Sequence, residues 1–450
     1  MNKKTNPLAC IILAAGRGTR MKSSKPKVLH EIAGRPMLTH LLETVEHIGA
    51  DKIIIVTAPD MDDVRHSANG HTIAIQDKPL GTGDAVAAAL PALDGFDGDV
   101  LVLLGDMPLL SAETLTQLIA TKHENAANDL SVLGVNLSPT PAFGRLITAE
   151  DGHLAHIVED KDCTAEQRAV TLCNTGAFCL SADGLRTWIP QIKNANAQQE
   201  YYFTDIPAIA AKDGAKTHIH ITDNTTEVKG VNSRQDLAVL EAAVQNQLRQ
   251  KAMNAGATLI DPSSVTLCHD TVIGQDTIIE PNVVFGKNVI LDHDVHIKAF
   301  SHLEGAHVKS GAVIGPFARL RPGSDIGENV KIGNFVEVKN ATLHEGVKAG
   351  HLAYIGDAEI GAGTNYSCGA ITANYDGFNK HKTRIGENVM IGSNVNLIAP
   401  VTIADGAYIA AGSTISSAVE KDALAITRTK PKIIEGWAAR NRKKNEKRAK

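Results

Sequence analysis

Residues 273–303 read IGQDTIIEPNVVFGKNVILDHDVHIKAFSHL, and along them Ile273, Ile279, Phe285, Leu291, Ile297 and Leu303 stand six apart. A six-residue period fits neither a 3.6-residue helix nor a hairpin meander; it marks hexapeptide repeats, which wind a parallel β-helix. Each hexad supplies one short strand and one corner. The apolar residue points inward, and Gly or Asn tolerates the unusual backbone at the turn. Three hexads close one triangular coil of roughly 18 residues. A second series (Ile314, Leu320, Ile326, Ile332, Val338) and a third (Ile385, Ile391, Leu397, Ile403, Ile409, Ile415) carry the same period onward. Gly follows the apolar residue at Gly274, Gly286, Gly315, Gly327, Gly333, Gly386 and Gly392. Aromatics make up only 4% of the chain against 38 glycines, as a narrow interior of small branched side chains requires. Between about 339 and 384 the series breaks, in a stretch dense in His, Tyr, Asn and Lys. A solenoid leaves its repeat at loops, and loops on a rigid scaffold tend to carry function, so a site is expected there.

The first 230 or so residues follow another rule. Ile11–Ala14, Lys52–Val56 and Val100–Leu104 are continuous β-formers, and helix-like segments lie at Leu38–Ile48, Thr82–Leu93 and Ala112–Thr121. This alternation predicts a mostly parallel sheet with helices on both faces and ligands beyond the carboxyl ends of its strands. From Asn232 to Ala255 one amphipathic helix is expected, with Leu237, Leu240, Val244 and Leu248 on its apolar face. The predicted domains are therefore 1–231, a linker helix 232–256, and a β-helix 257–450.

Composition excludes several classes. The 450 residues carry 45 Lys+Arg against 50 Asp+Glu, a net charge of -5, with no basic stripe for nucleic acid. Hydrophobics at 43% and charges at 21% exclude a disordered chain. No apolar run approaches the ~20 residues that cross a bilayer. Leu8–Leu13 reads as a buried strand rather than a signal peptide. Six scattered cysteines without C-x-x-C spacing suggest neither zinc nor disulfides. A soluble cytoplasmic protein is expected. The basic tail Arg440–Arg448 reads as a solvated end, with guidance of a negatively charged ligand as the alternative.

Leu13-Ala14-Ala15-Gly16-Arg17-Gly18-Thr19-Arg20-Met21 follows the first strand directly. Its glycines let backbone N–H groups approach a phosphate, and Arg20, Lys25 and Lys27 can neutralise charge. A Gly-rich turn with solvated cations is the bland alternative. Gln76 and Gly81-Thr82-Gly83 form a second small-residue loop before a helix. Asp106, at the carboxyl end of a strand, suits Mg²⁺ or a turn acid equally. Asn232 reads equally as a plain helix N-cap. Glu159, Asn174-Thr175-Gly176 and Glu200-Tyr201-Tyr202 suit hydroxyl recognition.

Together these segments, with Lys27-Val28-Leu29, Gly105-Asp106 and Gly230-Val231-Asn232, resemble the sugar-1-phosphate nucleotidyltransferases. With a hexapeptide β-helix behind them, the whole chain resembles the bacterial family of bifunctional N-acetylglucosamine-1-phosphate uridyltransferases and glucosamine-1-phosphate N-acetyltransferases. The resemblance implies an α/β architecture: a Rossmann-like nucleotidyltransferase domain, a connector helix and a left-handed parallel β-helix. It implies UTP and acetyl-CoA as co-substrates and Mg²⁺ as cofactor. Leu13, Ala14, Ala15, Gly16, Lys27, Gln76, Gly81, Thr82, Leu104, Gly105 and Asp106 would bind the nucleotide, and Gly144, Glu159 and Asn174 the sugar. Asp106 and Asn232 would bind Mg²⁺, while Arg20 and Lys27 would stabilise the transition state.

In the β-helix the resemblance makes His351 the general base, oriented by Glu337. Arg321, Lys339, Tyr354, Asn365 and Lys380 would hold the acetyl acceptor. Cys368, Asn374, Tyr375, Ser393, Ala411 and Arg428 would line acetyl-CoA. It also implies a homotrimer, no stable membrane insertion, and a product feeding peptidoglycan and lipopolysaccharide precursors. Two departures stand out: Leu104 where the family often has Tyr before Gly-Asp, and Cys368 where it has Ala. A narrower alternative is a single-activity sugar nucleotidyltransferase whose β-helix only oligomerises or regulates. A non-catalytic scaffold is a third, but one should lack the phosphate-loop Arg, the metal Asp or the base His, and this chain retains all three.

Overall fold

The apolar runs near the N-terminus become the centre of a sheet with nine strands among the described residues. The computed structural model describes residues 6–124, 129–140 and 142–448. Two compact units emerge, 1–246 and 247–450, and the division falls within the helix Arg234–Asn254.

In the first unit, Leu8–Leu13 lies between Lys52–Thr57 and Asp99–Leu104, parallel to both, with Leu13 opposite Val56 and Leu104. Side chains alternate between two buried faces. Cys10, Ile12, Leu101 and Leu103 join one apolar cluster, and Ala9, Ile11, Val100 and Val102 join the other. Burial on both faces explains the unbroken apolar runs. The predicted mostly parallel sheet is in fact mixed: Leu172–Ser181 runs antiparallel to both Asp99–Leu104 and Leu130–Asn136. The chain reaches that strand from the antiparallel pair Arg145–Thr148 and Leu154–Val158 rather than through a crossover helix. Helices form at Met37–His47, Thr82–Ala89 and Ala112–His123. The second gives way to a 3₁₀ turn at Leu90–Leu93, where Pro91 lacks the N–H an α-helix needs.

The connector helix is capped by Ser233, not by Asn232. Ser233 Oγ accepts the Asp236 N–H at 3.2 Å, and Asp236 Oδ2 reaches back to the Asn232 N–H at 3.0 Å. This leaves the Asn232 side chain for other work. Of the expected apolar face, Leu240 and Val244 are buried, while Leu237 and Leu248 are only half-buried.

The second unit is a 22-strand, left-handed parallel β-helix. Three strands make a coil, and most strands pair with their counterparts 17 or 18 residues on, as in Ile278 opposite His296 and His296 opposite Val313, the spacing widening to 25 where the chain makes an excursion, as in Asn365 opposite Met390. The inward residues Ile279, Ile297, Ile314 and Ile332 are all buried. At the corners, Gly and Asn interlock. Gly311 and Asn329 both have positive φ, and a side chain on Gly311 would collide with Asn329 Oδ1.

The break expected between about 339 and 384 is mostly not a loop. Lys331–Leu343 and Lys348–Ile360 pair along their length, from Lys331 opposite Lys348 to Leu343 opposite Ile360. The repeat loses phase there because these coils are 17 residues long, and because Ala349 and Tyr366 take inward positions. The excursion is the short hairpin 374–382, closed by the Tyr375–Lys380 bridge. The tail forms an exposed helix, Trp437–Arg448. No helix among the described residues is long and apolar enough to cross a membrane.

Candidate functional site

Because Leu13 and Leu104 are opposed in register, the turns that follow them are neighbours. The Gly105 N–H donates to the Leu13 carbonyl at 2.9 Å, and the Ala14 N–H to Val56 at 2.8 Å. A Cβ on Gly105 would stand 2.9 Å from that Leu13 oxygen, whereas one on Gly16 would meet nothing within 4 Å. The loop after the first strand is thus open to a ligand at Gly16, and Ala15 beside it is half-buried. Arg20 lies exposed on the 3₁₀ turn Thr19–Met21.

Three residues far apart in sequence meet at this edge. Lys27 Nζ donates to the Asp106 carboxylate, and to Asn232 Oδ1 at 3.2 Å. The main chain helps: the Val231 N–H donates to the Asp106 carbonyl at 3.0 Å. A carboxylate and an amide oxygen therefore converge on one cation, the Lys27 ammonium. They are hard donors of the kind that suits Mg²⁺.

Gln76 is buried, and its Nε2 donates to the Gly81 carbonyl at 3.0 Å and to Asp84 Oδ2 at 2.8 Å. Gly81 has φ +119°, and a Cβ there would lie 2.5 Å from the Tyr201 carbonyl oxygen. Thr82 Oγ1 accepts the Phe203 N–H at 3.0 Å.

A cavity of about 220 Å³ is lined by Leu13, Thr82, Leu104, Asp106, Gly144, Glu159, Asn174 and Asn232, among others. Glu159 Oε1 accepts from Thr204 Oγ1 at 3.1 Å, and burial raises its carboxyl above the ordinary range. Asn174 sits at a bulge, its Oδ1 accepting the Gly176 N–H at 3.0 Å. Leu104 packs against Gly176, so the departure from Tyr leaves an apolar wall. Sequence reasoning missed Phe203 and Thr204, which line the cavity without any motif to announce them.

On the β-helix, the expected residues collect along two edges of one face. His351 lies opposite Asn334 at the first edge. There the Gly369 N–H donates to the Leu352 carbonyl, the Asn394 N–H to Cys368 and the Gly412 N–H to Ser393, each at 2.8 Å. His351, Cys368, Ser393 and Ala411 are thereby stacked one per coil, roughly 4.8 Å apart. Arg428 Nη1 donates to the Ala411 carbonyl at 2.6 Å, at the end of the row.

The other edge is cationic. Lys339 is pressed against Lys380, which lowers the Lys339 pKa, with desolvation as the next cause. Arg321 belongs to the same charge environment. It donates to Glu337 Oε1 at 2.8 Å. Glu337 accepts from Arg321 and lies opposite Tyr354, on this edge rather than beside His351 of the same chain. The Tyr354 ring covers Gly356. Asn374 donates to Asp357 Oδ2. In the hairpin, Asp376 accepts the N–H groups of Phe378 and Asn379 at 2.8 and 2.7 Å and pairs with His381 at 2.6 Å, all of which holds its carboxyl well below the usual range. That stiffened turn presents Lys380, with Tyr375 exposed beside it.

Asn365 does not join this group within one chain. It stands on another face, opposite Lys348 and Met390, and donates to Ser367 Oγ at 3.0 Å. From His351 to Gly356, which lies beside Lys339, the backbone spans five residues, roughly 16 Å.

Comparison with known proteins agrees with both halves. Residues 10–146 match the MobA-like NTP transferase domain family. Residues 270–305, 305–340 and 382–417 match the bacterial transferase hexapeptide family, the gap spanning the 17-residue coils and the hairpin. Among curated relatives, the bifunctional protein GlmU of Paramagnetospirillum magneticum is 48% identical over 97% of both chains. That of Acidiphilium cryptum is 51% identical over 95% of this chain and 97% of its own. That of Zymomonas mobilis is 44% identical over 98% and 99%. By fold and relatives alike, the chain belongs to the family of bifunctional GlmU proteins.

Proposed function

We propose that the first unit makes the nucleotide–sugar bond and the β-helix makes the acetamide. The chain is a bifunctional transferase of UDP-N-acetylglucosamine synthesis, with uridyltransferase and acetyltransferase activities.

In uridyl transfer, the phosphate of N-acetylglucosamine-1-phosphate attacks the α-phosphorus of UTP in line, and pyrophosphate departs. The protein mainly positions the groups and offsets charge. Backbone N–H groups around Gly16 face the phosphates, with Lys27 and Arg20 placed to stabilise the departing pyrophosphate. The amide hydrogens of Gln76 are committed to Gly81 and Asp84. Its oxygen remains to accept the N3–H of uracil, whereas cytosine offers an acceptor there. Gly144, Glu159 and Asn174 hold the sugar. Asp106 and Asn232 would hold Mg²⁺, which when bound neutralises phosphate oxygens.

In acetyl transfer, His351 takes a proton from the ammonium of glucosamine-1-phosphate. The freed amine then attacks the thioester carbonyl, and coenzyme A leaves as the thiol. Arg321, Lys339 and Lys380 hold the phosphate beside Tyr354, and the row from Cys368 to Arg428, with Asn374 and Tyr375, guides acetyl-CoA. In glucosamine-1-phosphate the amine and the phosphate sit on adjacent carbons. Backbone edges roughly 16 Å apart are poorly placed to grip one such molecule within a single chain. A homotrimer answers this: His351 of one copy faces the cations of the next, and Asn365 enters from a neighbouring face. UTP and acetyl-CoA place the enzyme in the cytoplasm, its product feeding peptidoglycan and lipopolysaccharide precursors.

The observation that carries the reading is the convergence of Lys27, Asp106 and Asn232 at the cavity wall, alongside a separate cationic edge on the β-helix. Asp106→Ala and His351→Ala test it. The first should abolish uridyl transfer and spare acetyl transfer; the second should do the reverse, lowering kcat by about 10²–10⁴. Loss of both activities in either variant, with folding intact, would overturn the assignment.

A further inference from the structure

Arg145 directly follows Gly144 and is only 1% exposed. It lies opposite Val158 on one side and Cys173 on the other, so the residues just beyond its neighbours are Glu159 and Asn174. Its guanidinium donates through Nη1 to the Phe143 carbonyl and through Nη2 to Asp160 Oδ1 at 3.2 Å. Its Nε is buried without a hydrogen-bond partner. Arg168 braces the same acid, its Nη2 donating to the Asp160 carbonyl at 2.8 Å. One planar fork thus ties the residue before Gly144 to the residue after Glu159. The parts it ties are in close contact. A methyl group on Gly144 would lie 3.4 Å from Glu159 Oε1 and 3.6 Å from Asn174 Cβ.

We propose that Arg145 is a positioning residue for sugar recognition in uridyl transfer, holding the Gly144 main chain and the Glu159 carboxylate at a fixed separation across the cavity. The proposal rests on the reading of Gly144, Glu159 and Asn174 as the sugar-holding set. A buried cation with a half-exposed acid and an unmatched N–H is a poor source of stability. Replacing both members of such a pair with apolar residues of similar volume is often neutral, whereas removing one strands the other. What an apolar residue cannot do is bridge two segments, and a Lys ammonium lacks the fork that spans them.

The test uses the full-length chain and the variants Arg145→Lys, Arg145→Met, Asp160→Asn and Glu159→Ala. Steady-state uridyl transfer is measured with N-acetylglucosamine-1-phosphate and UTP varied separately, and acetyl transfer by the β-helix reports on the integrity of each preparation. Both Arg145 variants should raise KM for the sugar phosphate about tenfold, since a misplacement of ~1 Å costs up to ~10²-fold. KM for UTP should stay within twofold. Asp160→Asn should shift KM the same way and serves as the readout should Arg145→Met not fold. Equal rises in both KM values, or unchanged sugar KM at Arg145 and Asp160, would overturn the proposal. If Glu159→Ala raises sugar KM while the Arg145 variants do not, the positioning role fails and the sugar subsite stands. If Glu159→Ala leaves sugar KM unchanged, the subsite reading itself fails.

Discussion

Lys27 does two things that a single substitution separates. Its ammonium holds the Asp106 carboxylate and the Asn232 amide oxygen together, with Lys27 and Asp106 only 14% and 15% exposed. Those are also the oxygens assigned to Mg²⁺, so the ammonium and the metal compete for one pair of donors. A hydrogen bond to a charged group contributes about 1.5–3 kcal/mol. Taking about 2 kcal/mol as the strength of the contact the metal must displace, Lys27→Met should tighten Mg²⁺ binding about thirtyfold. Catalysis should move the other way, because the positive charge facing the departing pyrophosphate is lost, and kcat should fall by about 10²-fold or more. Titration calorimetry with Mg²⁺ alone gives the affinity, and a pyrophosphate-release assay gives kcat. Unchanged or weaker Mg²⁺ binding in Lys27→Met would refute the competition, and with it the assignment of Asp106 and Asn232 as the metal pair.

Other outcomes follow from single residues. Gly81→Ala forces a side chain onto a φ of +119° and against the Tyr201 carbonyl, so it should cost about 1–3 kcal/mol in thermal unfolding and raise KM for UTP while sparing acetyl transfer. Burial raises the Glu159 pKa, so that carboxyl favours the fold most at pH below its ordinary range and loses this contribution as pH rises through its folded value. Glu159→Gln should therefore gain in relative stability from acid toward neutral pH, as melting curves across that interval would show. A flat difference would contradict it. Cys368→Ala restores the family's small residue in the row below His351. Because Cys packs as a small hydrophobe, KM for acetyl-CoA should change less than twofold, and a larger change would mean the thiol contacts the cofactor.

The β-helix was legible because its period belongs to no other common architecture, and Ile279, Ile297 and Ile314 face inward as the hexads require. Legibility failed where a coil dropped one residue. The pairing of Ile332 with Ala349 continues the fold, but it breaks the count of six, and a small inward Ala hides the strand. Gly16 and Asp106 stood out as candidates because each closely follows a recognisable strand, whereas Lys27 stood out only as a cation near the glycine loop. The release of Asn232 from capping was not, since it depends on Ser233 and Asp236 bonding reciprocally. Thr204 and Arg145 left no trace in the pattern: each acts through a partner about 15 or more residues away, Glu159 and Asp160 respectively. The separation of His351 from Lys339 across a face is a property of coil geometry, which no motif encodes.

The central claim is that one chain carries both transfers. Mass spectrometry of the purified protein with glucosamine-1-phosphate, acetyl-CoA, UTP and Mg²⁺, omitting one component at a time, tests it directly. UDP-N-acetylglucosamine forming in the complete mixture, and in none of the omissions, is the predicted result. Product appearing only when N-acetylglucosamine-1-phosphate is supplied ready-made would contradict the acetyltransferase half of the account.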